Sequence, residues 1–280
     1  MNTVVNIKTP EVVAPSISSS AMVVEFNASV WTARKKDHKA SAEVTSSNGA
    51  DKGVANVFKK ILGDNVELDA VQKFIGLTRN KHTSMTMPWS DSGSRLLTTA
   101  AYFNYHQEMT SRQQTFNDLV DTFLQVYPFL IAGAQAKIGS LWRANEYPTI
   151  DQVRHKFAFR IAYDELPDGG NTGDWRLDLP HEAMESVRTN SASNHQLRLK
   201  GAMDSLWHRL HDNLTTLVHE LDVNDKGKGN RLYDTVFDRA IELTEMLGTC
   251  NVTGDSQMEA MRRQLEEALH GANLDQFRKS

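Results

Sequence analysis

SRLLTTAAYFNYHQEMTSRQQTFNDLVDTFLQVYPFLIAGAQAKIGSLW, residues 94–142, carries apolar side chains at helical spacing for longer than an ordinary globular helix needs. Leu97, Tyr102, Tyr105, Met109, Phe116, Leu119, Phe123, Tyr127, Leu130, Ala134, Ile138 and Leu141 are mostly three, four or seven apart, which aligns them on one narrow helical stripe. His106, Glu108, Arg112, Gln113, Gln114, Asp118 and Asp121 make the opposite, wet face. An unbroken helix here would be on the order of 70 Å long, wider than a compact domain, so it must lie on a partner. Residues 182–221 supply one, because Leu199, Met203, Leu206, Leu210, Leu214, Leu217 and Leu221 form a heptad-like, coiled-coil seam. The predicted fold is therefore mostly α (α+β): a long antiparallel helical hairpin or bundle with a small antiparallel sheet at one end. Phe116, Leu119, Phe123 and Tyr127 are expected to meet Leu206, Leu210, Leu214 and Leu217. Pro128 removes a hydrogen bond inside the first helix and predicts a bend there, or two consecutive helices.

The sheet is read from period-2 alternation. Met22, Val24, Phe26, Ala28 and Val30 alternate with mostly polar neighbours, and Phe157, Phe159, Ile161 and Tyr163 do the same. These two segments are expected side by side, with Trp175, Leu177 and Leu179 as a third strand. Residues 33–51 read as a polar exposed loop. Two short helices follow, over residues 51–62 and 68–82, with a Pro-containing connection from Thr83 to Gly93 and a long helix from residue 94. A short helix is predicted over 149–155, and amphipathic helices over 231–247 and 256–270 close the bundle. The predicted organisation is a loosely held tail, 1–20; a strand, short helices, long helix and return strands, 21–180; and C-terminal helices, 181–280.

The 280 residues, 40% apolar and 24% charged, have the composition of an ordinary soluble protein. Residues 1–90 hold 11 Lys and Arg against 8 Asp and Glu, and the remainder 20 against 27, an asymmetry too small to name a nucleic-acid binder. Cys250, the one cysteine, excludes an intrachain disulfide or a multi-cysteine cluster and fits a reducing compartment. Met1 to Ser20 lacks the apolar core of a secretory signal, and no run approaches 18 apolar residues, so a cytoplasmic location is expected.

Chemistry-bearing patterns are sparse. His208 and His211 are one helical turn apart, but His219 lies too far along for one helix to close a metal site from all three. HEAME at residues 181–185 shares only its first two positions with the zinc-binding HExxH. There is no GxxxxGK[ST], GxGxxG or GxSxG, and no catalytic residue, metal ligand or cofactor is assigned. The basic run Arg34, Lys35, Lys36 and Lys39 could touch phosphates, but nothing in the linear sequence gives it an aromatic platform.

ASVWTARKK, residues 28–36, VRHKFAFRIAYDELP, residues 153–167, and the long helix between them resemble an uncharacterised family of bacteria and their phages. MTMPWSDSGSRLL, residues 85–97, looks more like its phage branch. Members tend to be encoded beside MoxR-type AAA+ ATPases and von Willebrand A-domain proteins similar to cobaltochelatase subunits. The resemblance implies a non-enzymatic adaptor, phage-encoded and acting in the host cytoplasm, that partners such a remodelling system. Partner contacts are expected at Trp31, Arg34 and Lys35 and at Met87, Pro88 and Trp89, with self-association as a further use of leftover apolar surface. The alternatives are a nucleic-acid-binding protein that uses the basic strand end, and a metal-dependent enzyme whose site is assembled across helices around His208 and His211.

Overall fold

A computed structural model of the chain describes residues 17–166, 180–224, 241, 244–245, 247–251 and 255–271. It is mostly helical with a small antiparallel sheet. In chain order the elements are α1 (Ile17–Ser20), β1 (Ala21–Ser29), β2 (Arg34–Asp37), α2 (His38–Ser47), β3 (Val57–Lys60), α3 (Val66–Met85), β4 (Met87–Pro88) and β5 (Arg95–Thr98). Then come α4 (Tyr102–Ile138), α5 (Ile150–Arg154), β6 (Ala158–Glu165), α6 (His181–Asn224) and α7 (Ser256–Gly271). One sheet has the order β4-β5-β1-β6, so the two alternating segments are neighbours, and β2 pairs with β3 separately. The predicted strand at Trp175, Leu177 and Leu179, the tail to residue 16 and most of the helix over 231–247 lie outside the described residues.

The chain forms two compact units that interleave along the sequence. The first comprises Met1–Val24, Met85–Tyr102 and Tyr163–Ser280. Within it β5 lies between β4 and β1, with Leu96 opposite both Met87 and Val23. Leu96, Leu97 and Thr98 are consecutive and all buried, as an interior strand covered on both faces requires. This corrects the helix predicted from residue 94: adjacent leucines that looked like its first turn are strand, and α4 starts at Tyr102. Ala202, Met203 and Leu206 of α6 cover Ala21, Val23, Met87 and Leu96, with Cys250 and Met258 completing the cluster. One turn later Leu210 packs with Leu247.

The second unit comprises Glu25–Ser84 and Phe103–Ala162. The stripe read from the sequence is the buried face of α4, with Tyr105, Met109, Phe116, Phe123, Tyr127 and Ala134 inside. Phe116 meets Phe159, which meets Phe26 at 4.8 Å between ring centroids, while Phe123 contacts Trp31, Tyr127 and Phe157. These centroid distances and tilted rings suit aromatic quadrupoles. α4 runs unbroken through Pro128, whose ring is exposed. The Tyr127 hydroxyl donates to the Pro148 carbonyl at 2.8 Å, and burial pushes its pKa up to about 12, which keeps that donor protonated.

Two predicted elements exchange places. The loop expected over 33–51 contains β2 and α2, and the helix expected over 51–62 contains β3. Ser41 and Thr45 are the buried residues of α2, and their hydroxyls donate to the carbonyls four residues back. A polar stretch can line a core when its hydroxyls are satisfied locally. Val54 and Phe58, apolar residues of the expected 51–62 helix, are 72% and 60% exposed, while Ile61 is buried. α3 begins slightly earlier than predicted because the Asn65 side chain accepts the Leu68 N–H at 2.8 Å, an N-cap interaction.

Candidate functional site

The β2–β3 pair is short, and its register sorts every side chain onto one of two faces. Arg34 lies opposite Lys60, Lys35 opposite Lys59, Lys36 opposite Phe58 and Asp37 opposite Val57. Opposite residues of an antiparallel pair share a face and neighbours along a strand alternate. One face therefore carries Arg34, Lys36, Phe58 and Lys60, all exposed. The other carries Lys35, Asp37, Val57 and Lys59, of which Asp37 and Lys59 are buried.

That inward face is anchored by charge. The Lys59 ammonium donates to the Leu141 carbonyl at 2.6 Å, lies 2.8 Å from Glu146 Oε2 and is 3.8 Å from Asp37 Oδ2. Asp37 caps α2 by accepting the Ala40 N–H at 3.0 Å. That hydrogen bond, with the Lys59 charge beside it, holds the Asp37 carboxyl below the usual carboxylate range. At the other end Ala33 adopts φ 49°, a left-handed conformation that a residue with a Cβ rarely takes, and its carbonyl accepts the Ile61 N–H at 2.9 Å. The two clamps bracket the strands and fix the register that turns Arg34, Lys36, Phe58 and Lys60 outward.

The outward face sets three cations beside one aromatic ring. Among the described residues Arg34, Lys35 and Lys36 make no ion pair, and Lys60 has one, with exposed Asp64 at 2.7 Å. Arg34 directly opposite Lys60 is a like-charge pair, which destabilises a sheet unless something else compensates. The second unit holds 16 Lys and Arg against 12 Asp and Glu, net +4, whereas the first holds 15 against 23, net −8. The cationic face thus belongs to the positively charged unit.

The sequence-predicted contact residues divide accordingly. Trp31, Arg34 and Lys35 belong to the second unit; the cations are exposed and Trp31 is half-buried against Phe123 and Tyr127. Met87, Pro88 and Trp89 belong to the first. Met87 is fully buried and Trp89 is 6% exposed, which corrects their expected place on the surface: in β4 and just after it they are core. Phe58 and Lys60 were missed, because their helical reading concealed the register that joins them to Arg34 and Lys36.

Among the described residues the other chemistry-bearing groups do not converge. Trp89 floors a groove of about 310 Å³ on α6, lined also by Asn190, Ser191, Asn194, His195 and Arg198. The His195 ring meets Trp89 edge-on at 5.2 Å and the Arg198 guanidinium lies over the indole at 6.0 Å, so its aromatic surface is already engaged. His208 and His211 are exposed, and among the described residues no three His, Cys, Asp or Glu side chains are placed to share a metal ion. Cys250 is buried, and burial pushes its thiol up. No helix among the described residues is long and apolar enough to cross a membrane. No protein-family model, curated protein or solved structure matches the chain.

Proposed function

We propose that the protein is a binding module, not an enzyme, and that the outward face of β2 and β3 holds an anionic macromolecular partner. The observation that carries this reading is the exposed set Arg34, Lys36 and Lys60 on a strand pair anchored from behind by Lys59. A like-charged face on a fixed scaffold is what recognition of negative charge needs, since the cations are positioned before the partner arrives.

The resemblance of residues 28–36 and 153–167 supports placing this module beside a MoxR-type AAA+ ATPase and a von Willebrand A-domain protein, as a phage-encoded adaptor in the host cytoplasm. An adaptor needs one contact for its cargo and another for its motor. The cationic face serves the first.

The Arg34→Ala, Lys36→Ala, Lys60→Ala triple variant tests the binding reading on immobilised heparin, a polyanion without sequence information. Each residue is exposed, so the variant should keep the wild-type circular dichroism spectrum. It is expected to elute at clearly lower salt, with the slope of log affinity against log salt reduced by about two to three. Co-elution with wild type would reject the face as the anionic contact.

A further inference from the structure

We infer that the anionic partner of this face is single-stranded nucleic acid, with Phe58 as the platform on which a base stacks. The inference rests on the binding-module reading and specifies its partner. A polyanion site requires only cations, yet one of the four outward positions of this one is a phenylalanine, 60% exposed. Phe58 is directly opposite Lys36, which brings their Cβ atoms to about 5 Å, and Lys60, two residues along the same strand, is about 7 Å away. Arg34 faces Lys60 across the pair and is the diagonal neighbour of Phe58, about 7–8 Å from it. One bare aromatic face is thus bordered by three cations at strand spacing. A single strand offers the matching alternation, a phosphate at each nucleotide and a planar base that can turn away from the backbone.

The ring discriminates among anionic partners. A sulfated polysaccharide has no π-face to lay on Phe58. A duplex keeps its bases stacked and paired, so no base face is free to lie on the ring. An acidic protein surface would be served by the cations and would leave a large exposed apolar group unused. Free bases use both parts of the face, and because every base has a π-face the preference among sequences is weak.

The test uses the full-length protein and a fluorescein-labelled 12-mer of thymidine, followed by anisotropy at several salt concentrations. Wild type is expected to bind with a log–log salt slope near −2, for three neutralised phosphates on a single strand. Phe58→Ala is expected to weaken binding roughly tenfold with the salt slope unchanged, and Phe58→Trp to restore it. The same Phe58→Ala protein should elute from heparin with wild type, because heparin meets only the cations. Equal affinity of Phe58→Ala and wild type for the oligonucleotide overturns the inference, as does tighter binding to the corresponding duplex. Retention on heparin without oligonucleotide binding rejects nucleic acid and leaves the anionic-partner reading standing; failure on both rejects the two together.

Discussion

Lys59→Met is expected to destabilise the second unit by about 3–5 kcal/mol, because it removes the cation from a mostly buried ionic cluster and leaves the anions in place. Lys59 is 8% exposed, and its ammonium is the common partner of the Glu146 carboxylate, the Asp37 carboxylate and the Leu141 carbonyl. Methionine occupies a similar volume, so the loss would measure charge and hydrogen bonding more than packing. Urea unfolding, with hydrogen exchange of β2 and β3 amides as the local probe, measures it. Adding Glu146→Gln to Lys59→Met should recover part of the loss, because one stranded charge is removed. A Lys59→Met protein within about 0.5 kcal/mol of wild type would mean that solvent screens the cluster and that β2–β3 is held by other contacts.

Trp89→Ala is the matching experiment in the first unit, with a loss of about 3–5 kcal/mol expected for a large aromatic removed from a packed core. Trp89 clusters with Ala21, Met87, Leu96, Leu206, Cys250 and Met258, and Arg198 and His195 cover its ring. The cavity should loosen the packing around Cys250, so its thiol is expected to react faster with a disulfide reagent than in wild type. Urea unfolding and thiol-labelling rates check the two effects separately. A stable variant with a still-protected thiol would place Trp89 at the margin of the core.

Long-period features were legible in the sequence. Twelve apolar positions spread over about 45 residues leave little alternative to one helix face for Phe116, Phe123 and Tyr127, and alternation in 22–30 and 157–163 leaves little alternative to adjacent strands. Short elements were not, because four residues barely distinguish period 2 from period 3.6. VFKK was absorbed into a helix, RKKD into a loop, and RLLT into the start of α4. α2 was missed since Ser41 and Thr45 satisfy their own hydroxyls and so line a core while looking solvent-facing.

The partners of each apolar face were also beyond linear pattern. A seam records that a face is covered and not by what. Ring contacts of Phe116 and Phe123 include Phe157, Phe159, Trp31 and Tyr127, and Leu206 and Leu210 join clusters with Met87, Leu96 and Leu247. The candidate site suffered in the same way. Arg34, Lys35 and Lys36 were visible as a basic run, whereas Phe58 and Lys60 join them only through a pairing across more than twenty residues. An exposed aromatic beside cations is a signal that becomes readable once strand register is known.

Hydrogen–deuterium exchange of the full-length protein, with and without a heparin octasaccharide, tests the central claim that the outward face of β2 and β3 is the contact for negative charge. Peptides covering residues 34–37 and 57–60 are predicted to gain the largest protection, and that protection should vanish in the Arg34→Ala, Lys36→Ala, Lys60→Ala variant. Protection confined to other segments, or unchanged in the variant, would contradict it.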